Sequence, residues 1–129
     1  NILGVPNVDG NWDVTWLGRS AGWLAGSAFP TWAGNSVVTA HVWNADNSPG
    51  AFNQLDTLRY GDKIVIRGFG QEYTYEVRTV KRILPTAYAT VFQHEETPWL
   101  SLLTCDSFNL DTGLYRFRTL VRAVQVGIK

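Results

Sequence analysis

Residues 62–84 constrain the fold more than any other stretch of this chain. Ile64 and Ile66 fall on one side of a first extended run, Tyr73, Tyr75 and Val77 share one side of a second, and Gly68-Phe69-Gly70-Gln71 lies between them. Period-two placement on both sides of a glycine-rich turn predicts two long strands joined as a hairpin. The same residues do not make a helical stripe, so a fold built around this segment must supply it with further strands.

Three other segments read as strands. In residues 36–42 the β-branched Val37, Val38 and Thr39 favour extension, and alternation puts Val37, Thr39 and His41 on one side with Val38, Ala40 and Val42 on the other. His41 therefore ends a strand. Residues 99–104 run up to Cys105, and residues 114–126 form a last strand, with Phe117, Val121 and Ala123 on one face and Arg116, Arg118 and Arg122 on the other. Residues 1–35 are too rich in Gly, Trp and turn residues for a helix. They hold a short strand candidate, in which Trp12, Val14 and Trp16 share a face, and then Gly22, Gly26, Pro30 and Gly34 as punctuation. Phe52, Leu55 and Leu58, spaced by three after a loop over residues 44–50, predict one or two helical turns. Residues 85–98 have no sustained period and carry His94, Glu95 and Glu96, a long connection of the kind that often lines a site. The expectation is an all-β barrel or sandwich with one small helix, a single domain over residues 1–129.

Charge removes several function classes. Eleven basic and eleven acidic residues cancel without a long run of either sign, so neither nucleic acid nor an acidic membrane surface is an expected partner. No stretch approaches the ~20 apolar residues of a membrane span. Asn1-Ile2-Leu3-Gly4 has neither an initiator Met nor the basic start of a signal peptide, so the chain reads as a trimmed soluble domain whose anchor or signal would lie upstream. One cysteine cannot form an internal disulfide.

That cysteine is the main candidate for chemistry. A thiolate is a strong nucleophile, and Cys105 sits where an apolar strand meets a turn, a place that holds a side chain rigidly beside a cleft. The plainer reading is a buried small hydrophobe. To react, the thiol needs a base or cationic partner, and only His41 and His94 are available, of which His41 has the more rigid seat. For an imidazole and a thiol at ordinary pKa values of ~6.5 and ~8.5, the ion pair holds only ~1% of the neutral pair's population, a handicap of roughly 2.7 kcal/mol. A guanidinium would favour the thiolate and could donate two hydrogen bonds to an oxyanion. Alternation leaves Arg116, Arg118 and Arg122 equivalent for that task, beside the ordinary reading of a solvated arginine stripe.

Together these segments resemble one family. Leu102-Leu103-Thr104-Cys105, the strand Asn35-Ser36-Val37-Val38-Thr39-Ala40-His41, and Thr112-Gly113-Leu114-Tyr115-Arg116-Phe117-Arg118 are similar to the three signature regions of the sortases, bacterial cysteine transpeptidases on a closed eight-stranded β-barrel. The order His, Cys, Arg and the gap of roughly 65 residues between the first two are similar as well. Further matches are Gly26-Ser27-Ala28-Phe29-Pro30, Gly50-Ala51-Phe52 through Leu55 and Leu58, and Gly61-Asp62. Two departures concern subclass, placed as similar to classes D, E or F: Ala40 stands where Gly usually precedes the histidine, and Ser101 where Thr usually opens the cysteine motif.

The resemblance implies Cys105 as nucleophile, His41 as general acid/base and Arg118, thirteen positions after the cysteine, as the oxyanion-stabilising arginine. It also implies that Thr104 and Tyr115 flank the substrate groove, with Ala40 a further substrate-binding candidate; Trp43, just after His41, reads either as a wall of the cleft or as simple packing. The implied substrate is a Leu-Pro-x-Thr-Gly sorting signal, cleaved between Thr and Gly through a thioacyl enzyme and passed to an amine of a peptidoglycan precursor or a pilin lysine. No cofactor takes part. Some relatives bind calcium in an acidic pocket, but Glu95 and Glu96 lack a third and fourth carboxylate in sequence, so no metal is expected. The implied setting is the outer face of a bacterial membrane, reached through a segment not in this chain, with the protein a monomer.

Two rivals differ in recognisable ways. Peptidoglycan-crosslinking transpeptidases carry His, Gly and Arg immediately around their cysteine, whereas here Thr104 precedes Cys105 and Arg118 follows far after. A binding module is the other: six Trp and five Tyr on a β-barrel could form a peptide or carbohydrate platform, with Cys105 merely buried.

Overall fold

A computed structural model of the chain describes residues 2–8, 12, 17, 20–41, 49–84, 87–104, 108–109, 114–115 and 118–129. Seven strands form one sheet: β1 (Ile2–Val5), β2 (Ala21–Leu24), β3 (Gly34–Ala40), β4 (Lys63–Gly68), β5 (Gln71–Ile83), β6 (Pro98–Thr104) and β9 (Arg118–Ile128), in the spatial order β1-β2-β3-β6-β9-β5-β4. β7 (Phe108–Asn109) and β8 (Leu114–Tyr115) make a separate antiparallel pair. The helical content among the described residues is small: a 3-10 turn at Leu55–Thr57, where spacing by three predicted it, and α1 (Tyr88–Val91) within the β5–β6 connection.

The hairpin forms as the sequence dictates. Gly68 pairs with Gln71 across Phe69 and Gly70, both with positive φ, at 56° and 74°. Two positive φ values in a two-residue loop match the right-handed twist of the strands they join. Tyr73, Tyr75 and Val77 face inward together, and Ile64 and Ile66 pack beside them. The sheet curls around this cluster, which also takes Val38 from β3, Leu100 and Leu102 from β6, and Val121 and Ala123 from β9. The curl brings the edges β1 and β4 opposite one another, with Ile2, Val65 and Ile66 lining a shared cleft above Val38, Leu100 and Leu102. This is the curved wall of the expected barrel.

A second cluster lies on the outer face of the same strands. Val37, Leu103 and Leu120 pack there with Val5, Leu17, Leu24 and Val91, flanked by Trp12, Ile83 and Phe92. Strands β3, β6 and β9 are thus buried on both faces, which explains runs such as Val37-Val38 and Leu102-Leu103 that strict alternation would forbid. The expected arginine face of the last strand is not solvated: Leu120 is fully buried between Arg118 and Arg122, because the β5–β6 connection covers it. Near the amino terminus, the Leu17 carbonyl accepts from Ser20 N–H at 3.0 Å, a turn contact at the end of the candidate strand; residues 13–16 lie outside the described residues.

Candidate active site

Three adjacent strands bring the candidate residues to one end of the sheet. β3 and β6 run parallel with Ala40 opposite Thr104, and β6 and β9 run antiparallel with Leu103 opposite Leu120. Parallel neighbours joined by a long crossover end at the same edge, so two segments far apart in sequence finish side by side. His41 follows Ala40 directly and is half-buried, with its carbonyl accepting from Phe52 N–H at 3.1 Å. Arg118 opens β9 at the same end, opposite Ile83 of β5. Its Nε is buried with no hydrogen-bond partner among the described residues, leaving a donor uncommitted.

Two threonines lock this end: Thr104, expected beside the groove, and Thr39, which the sequence reading did not single out as a site residue. Thr39 Oγ1 donates to the Leu103 carbonyl at 2.7 Å, tying β3 to β6, and Thr119 N–H donates to Thr104 Oγ1 at 2.8 Å, tying β9 to β6. Buried hydroxyls with partners hold neighbouring strands in register, whereas unpaired ones would cost free energy. Their signal was available in sequence as polar residues inside apolar strands. Ala40 and Thr104, expected to flank a groove, are 0% and 1% exposed, so what they contribute at this end is backbone position.

The other candidates fall as follows. Cys105, Trp43 and Arg116 lie outside the described residues, and Tyr115 is described only as part of β8. Arg122 is drawn away from the site end: its guanidinium pairs with Glu95 and stacks 4.6 Å from the centre of the Trp99 ring. His94, the competing base, is solvent-exposed beside Glu96 at 3.0 Å. Glu95 is committed to Arg122, and among the described residues no three His, Cys, Asp or Glu side chains gather as metal ligands. No helix among the described residues is long and apolar enough to cross a membrane.

The opposite end of the sheet carries a different feature. Trp23, Phe29, Trp32 and Phe69 form a chain of ring contacts at centroid distances of 5.2–6.2 Å. Trp32 and Phe69 are 65% and 75% exposed, and Phe29 and Phe69 line a cleft of about 730 Å³ between β1 and β4.

A family model described as the Sortase domain matches residues 4–126. Among solved structures, a pilus island 1 sortase C2 of Group B Streptococcus superposes with a TM-score of 0.77 at 23% identity, covering 98% of this chain and 66% of that one. Sortase A of Corynebacterium diphtheriae gives a TM-score of 0.77 at 26% identity, over 98% of this chain and 54% of its own. A sortase E mutant from Streptomyces avermitilis gives 0.73 at 20% identity, over 99% and 78%. The chain thus spans between half and two thirds of the length of the first two of these. Among curated proteins, no sequence match is found.

Proposed function

The chain belongs to the sortase family, and we propose that it is a cysteine transpeptidase in which Cys105 is the nucleophile, His41 the general acid/base and Arg118 the oxyanion donor. The observation that carries this reading is the strand register. Cys105 is the residue after Thr104, His41 is the residue after its partner Ala40, and Arg118 opens the strand whose Leu120 pairs with Leu103. A nucleophile on the central strand would then have its base on one side and its cationic donor on the other, the arrangement that acyl transfer needs.

In this reading the Cys105 sulfur attacks the Thr carbonyl of a Leu-Pro-x-Thr-Gly peptide. The electron pair moves to oxygen, and Arg118 hydrogen-bonds the resulting oxyanion. As the C–N bond breaks, imidazolium His41 gives its proton to the departing Gly amine, leaving a thioester on Cys105. An incoming amine loses a proton to His41, attacks the thioester and expels the thiolate, which restores the starting ion pair. The acceptor is a peptidoglycan amine or a pilin lysine, and Tyr115 and Trp43 wall the groove. The reaction takes place at the extracytoplasmic cell surface.

The test incubates the protein with quenched Leu-Pro-x-Thr-Gly peptides and an amine acceptor, following cleavage by fluorescence and the thioacyl adduct on Cys105 by mass spectrometry. Cleavage and adduct should both vanish in Cys105→Ala. Cleavage that survives the substitution rejects the mechanism.

A second reading, a binding module, is favoured by the exposed Trp32–Phe29–Phe69 group beside its cleft. Under it, Cys105 would resist methanethiosulfonate reagents in the folded protein as a buried thiol does.

A further inference from the structure

The β5–β6 connection is seated directly over the strands that end at the candidate site. Val91 packs in the outer cluster with Leu103 and Leu120, each two positions from a proposed catalytic residue along its strand, and Phe92 packs beside them and stacks on Trp12 at 5.2 Å. The connection leaves β5 at Ile83, which pairs with Arg118 at the site end, and rejoins the sheet at Pro98, which pairs with Gly34 at the opposite end. It therefore starts at the site end of the sheet and finishes at the opposite end.

What fixes it is an amide in an unexpected place. Asn35 lies in β3, is only 8% exposed, and sits in a strand otherwise made of Gly, Val, Ser, Thr and Ala. Its Nδ2 donates to the carbonyls of Val91 and Gln93, both at 2.9 Å, and its Oδ1 accepts from Ser101 Oγ at 2.6 Å. A buried amide costs free energy unless paired, and here both donor hydrogens go to the connection's backbone while the oxygen is held by the neighbouring strand. The pairing of Glu95 with Arg122 and the bond from Gly34 N–H to the Thr97 carbonyl, at 3.2 Å, secure the stretch that follows.

We propose that Asn35 is a positioning residue for the reaction: it sets the height and register of the β5–β6 connection over β6 and β9, and through it the shape of the groove wall beside His41 and Arg118. It touches no reacting atom. This inference rests on the transpeptidase reading above. Losing the pin should weaken productive peptide binding while leaving the nucleophile itself intact, because Thr39 and Thr104, not Asn35, hold the strand ends.

Asn35→Asp keeps the shape and the acceptor for Ser101 but, as a carboxylate, loses both donors. Its KM for a quenched Leu-Pro-x-Thr-Gly peptide should rise about tenfold, with kcat changed by less than about threefold. The rate of Cys105 alkylation by iodoacetamide, which needs no groove, should stay within about twofold of wild type. Amide hydrogen exchange over residues 87–93 should accelerate, with β3, β6 and β9 unchanged. Should Asn35→Asp fail to fold, Asn35→Ser carries the same expectations. An unchanged KM overturns the inference, as does a fall in alkylation parallel to the loss of peptide cleavage, which marks general disruption. Wild-type protein that neither cleaves the peptide nor alkylates at Cys105 rejects the transpeptidase reading and this inference with it; wild type that does both, matched in KM by Asn35→Asp, rejects the inference alone.

Discussion

Ala40 of β3 and Thr104 of β6 are register partners in a parallel pair, so the chain leaves both strands at the same level although the two residues are far apart in sequence. Thr104 is also bound on its other side, through its Oγ1 to Thr119 N–H of β9. The end of β6 is therefore held between two neighbours, and whatever follows Thr104 starts from a fixed point.

The first prediction concerns that fixed point. Thr104→Val has nearly the same volume but cannot accept the Thr119 N–H, which leaves a buried donor unpaired at a cost of about 1–3 kcal/mol in urea denaturation. Thr104→Ser keeps the oxygen and should lose clearly less. Equal losses would assign the effect to the packing of the methyl group instead.

Choosing Arg118 over its neighbour gives a second prediction. Arg118→Ala should lower kcat/KM for peptide cleavage by about 10²–10³-fold, as removal of an oxyanion donor does, whereas Arg116→Ala should change it by less than about threefold. Arg118→Lys should recover only part of the loss, since an ammonium cannot offer the same two-pronged donor. Equal losses at 116 and 118 would overturn the choice of arginine.

How far the sequence carried can be read at particular residues. Tyr73, Tyr75 and Val77 declared the hairpin and its inner face, because period-two spacing survives wherever one face is buried and the other is not. On β9 the same rule set Val121 and Ala123 apart from Arg118 and Arg122, but it could not show that Leu120, between the arginines, is fully buried, since the covering Val91 comes from a connection distant in sequence. The His–Cys–Arg order came from resemblance, and alternation alone left three arginines equivalent. The pairing that sets Ala40 beside Thr104 is non-local and carries no sequence signal of its own. Asn35 and Thr39 were visible as polar residues in an apolar strand, but their partners were not.

A third prediction tests packing of β2 against the outer cluster at the β1 edge. A Cβ added to Gly22 would lie 2.6 Å from Val5 Cγ2 and 2.9 Å from Leu17 Cδ1, closer than real contacts allow. Gly22→Ala should therefore destabilise by about 1–3 kcal/mol. If the clash is the cause, Val5→Ala should relieve it, so the double variant loses less than the sum of the two single ones. Simple additivity would place the cost in the backbone instead.

The last prediction follows from Tyr75, which is fully buried in the inner cluster. Desolvation there raises its phenol above the ordinary value of 10.0, an effect opposed in part by Gln125 and the Thr31 backbone. The unfolded chain releases this proton at its ordinary pKa while the folded chain still holds it. Above pH 10 the unfolded state thus binds fewer protons, and stability falls as pH rises until the folded-state pKa is passed. Below that window the contribution is fully present. Tyr75→Phe has no phenol to titrate, so its unfolding free energy, measured by urea denaturation from neutral pH to beyond 10, should decline less steeply than that of wild type at the alkaline end. Other tyrosines and lysines titrate in both proteins and cancel in the difference. Parallel curves would mean that the phenol ionises equally well in the folded and unfolded chains, and that water reaches it inside the barrel wall.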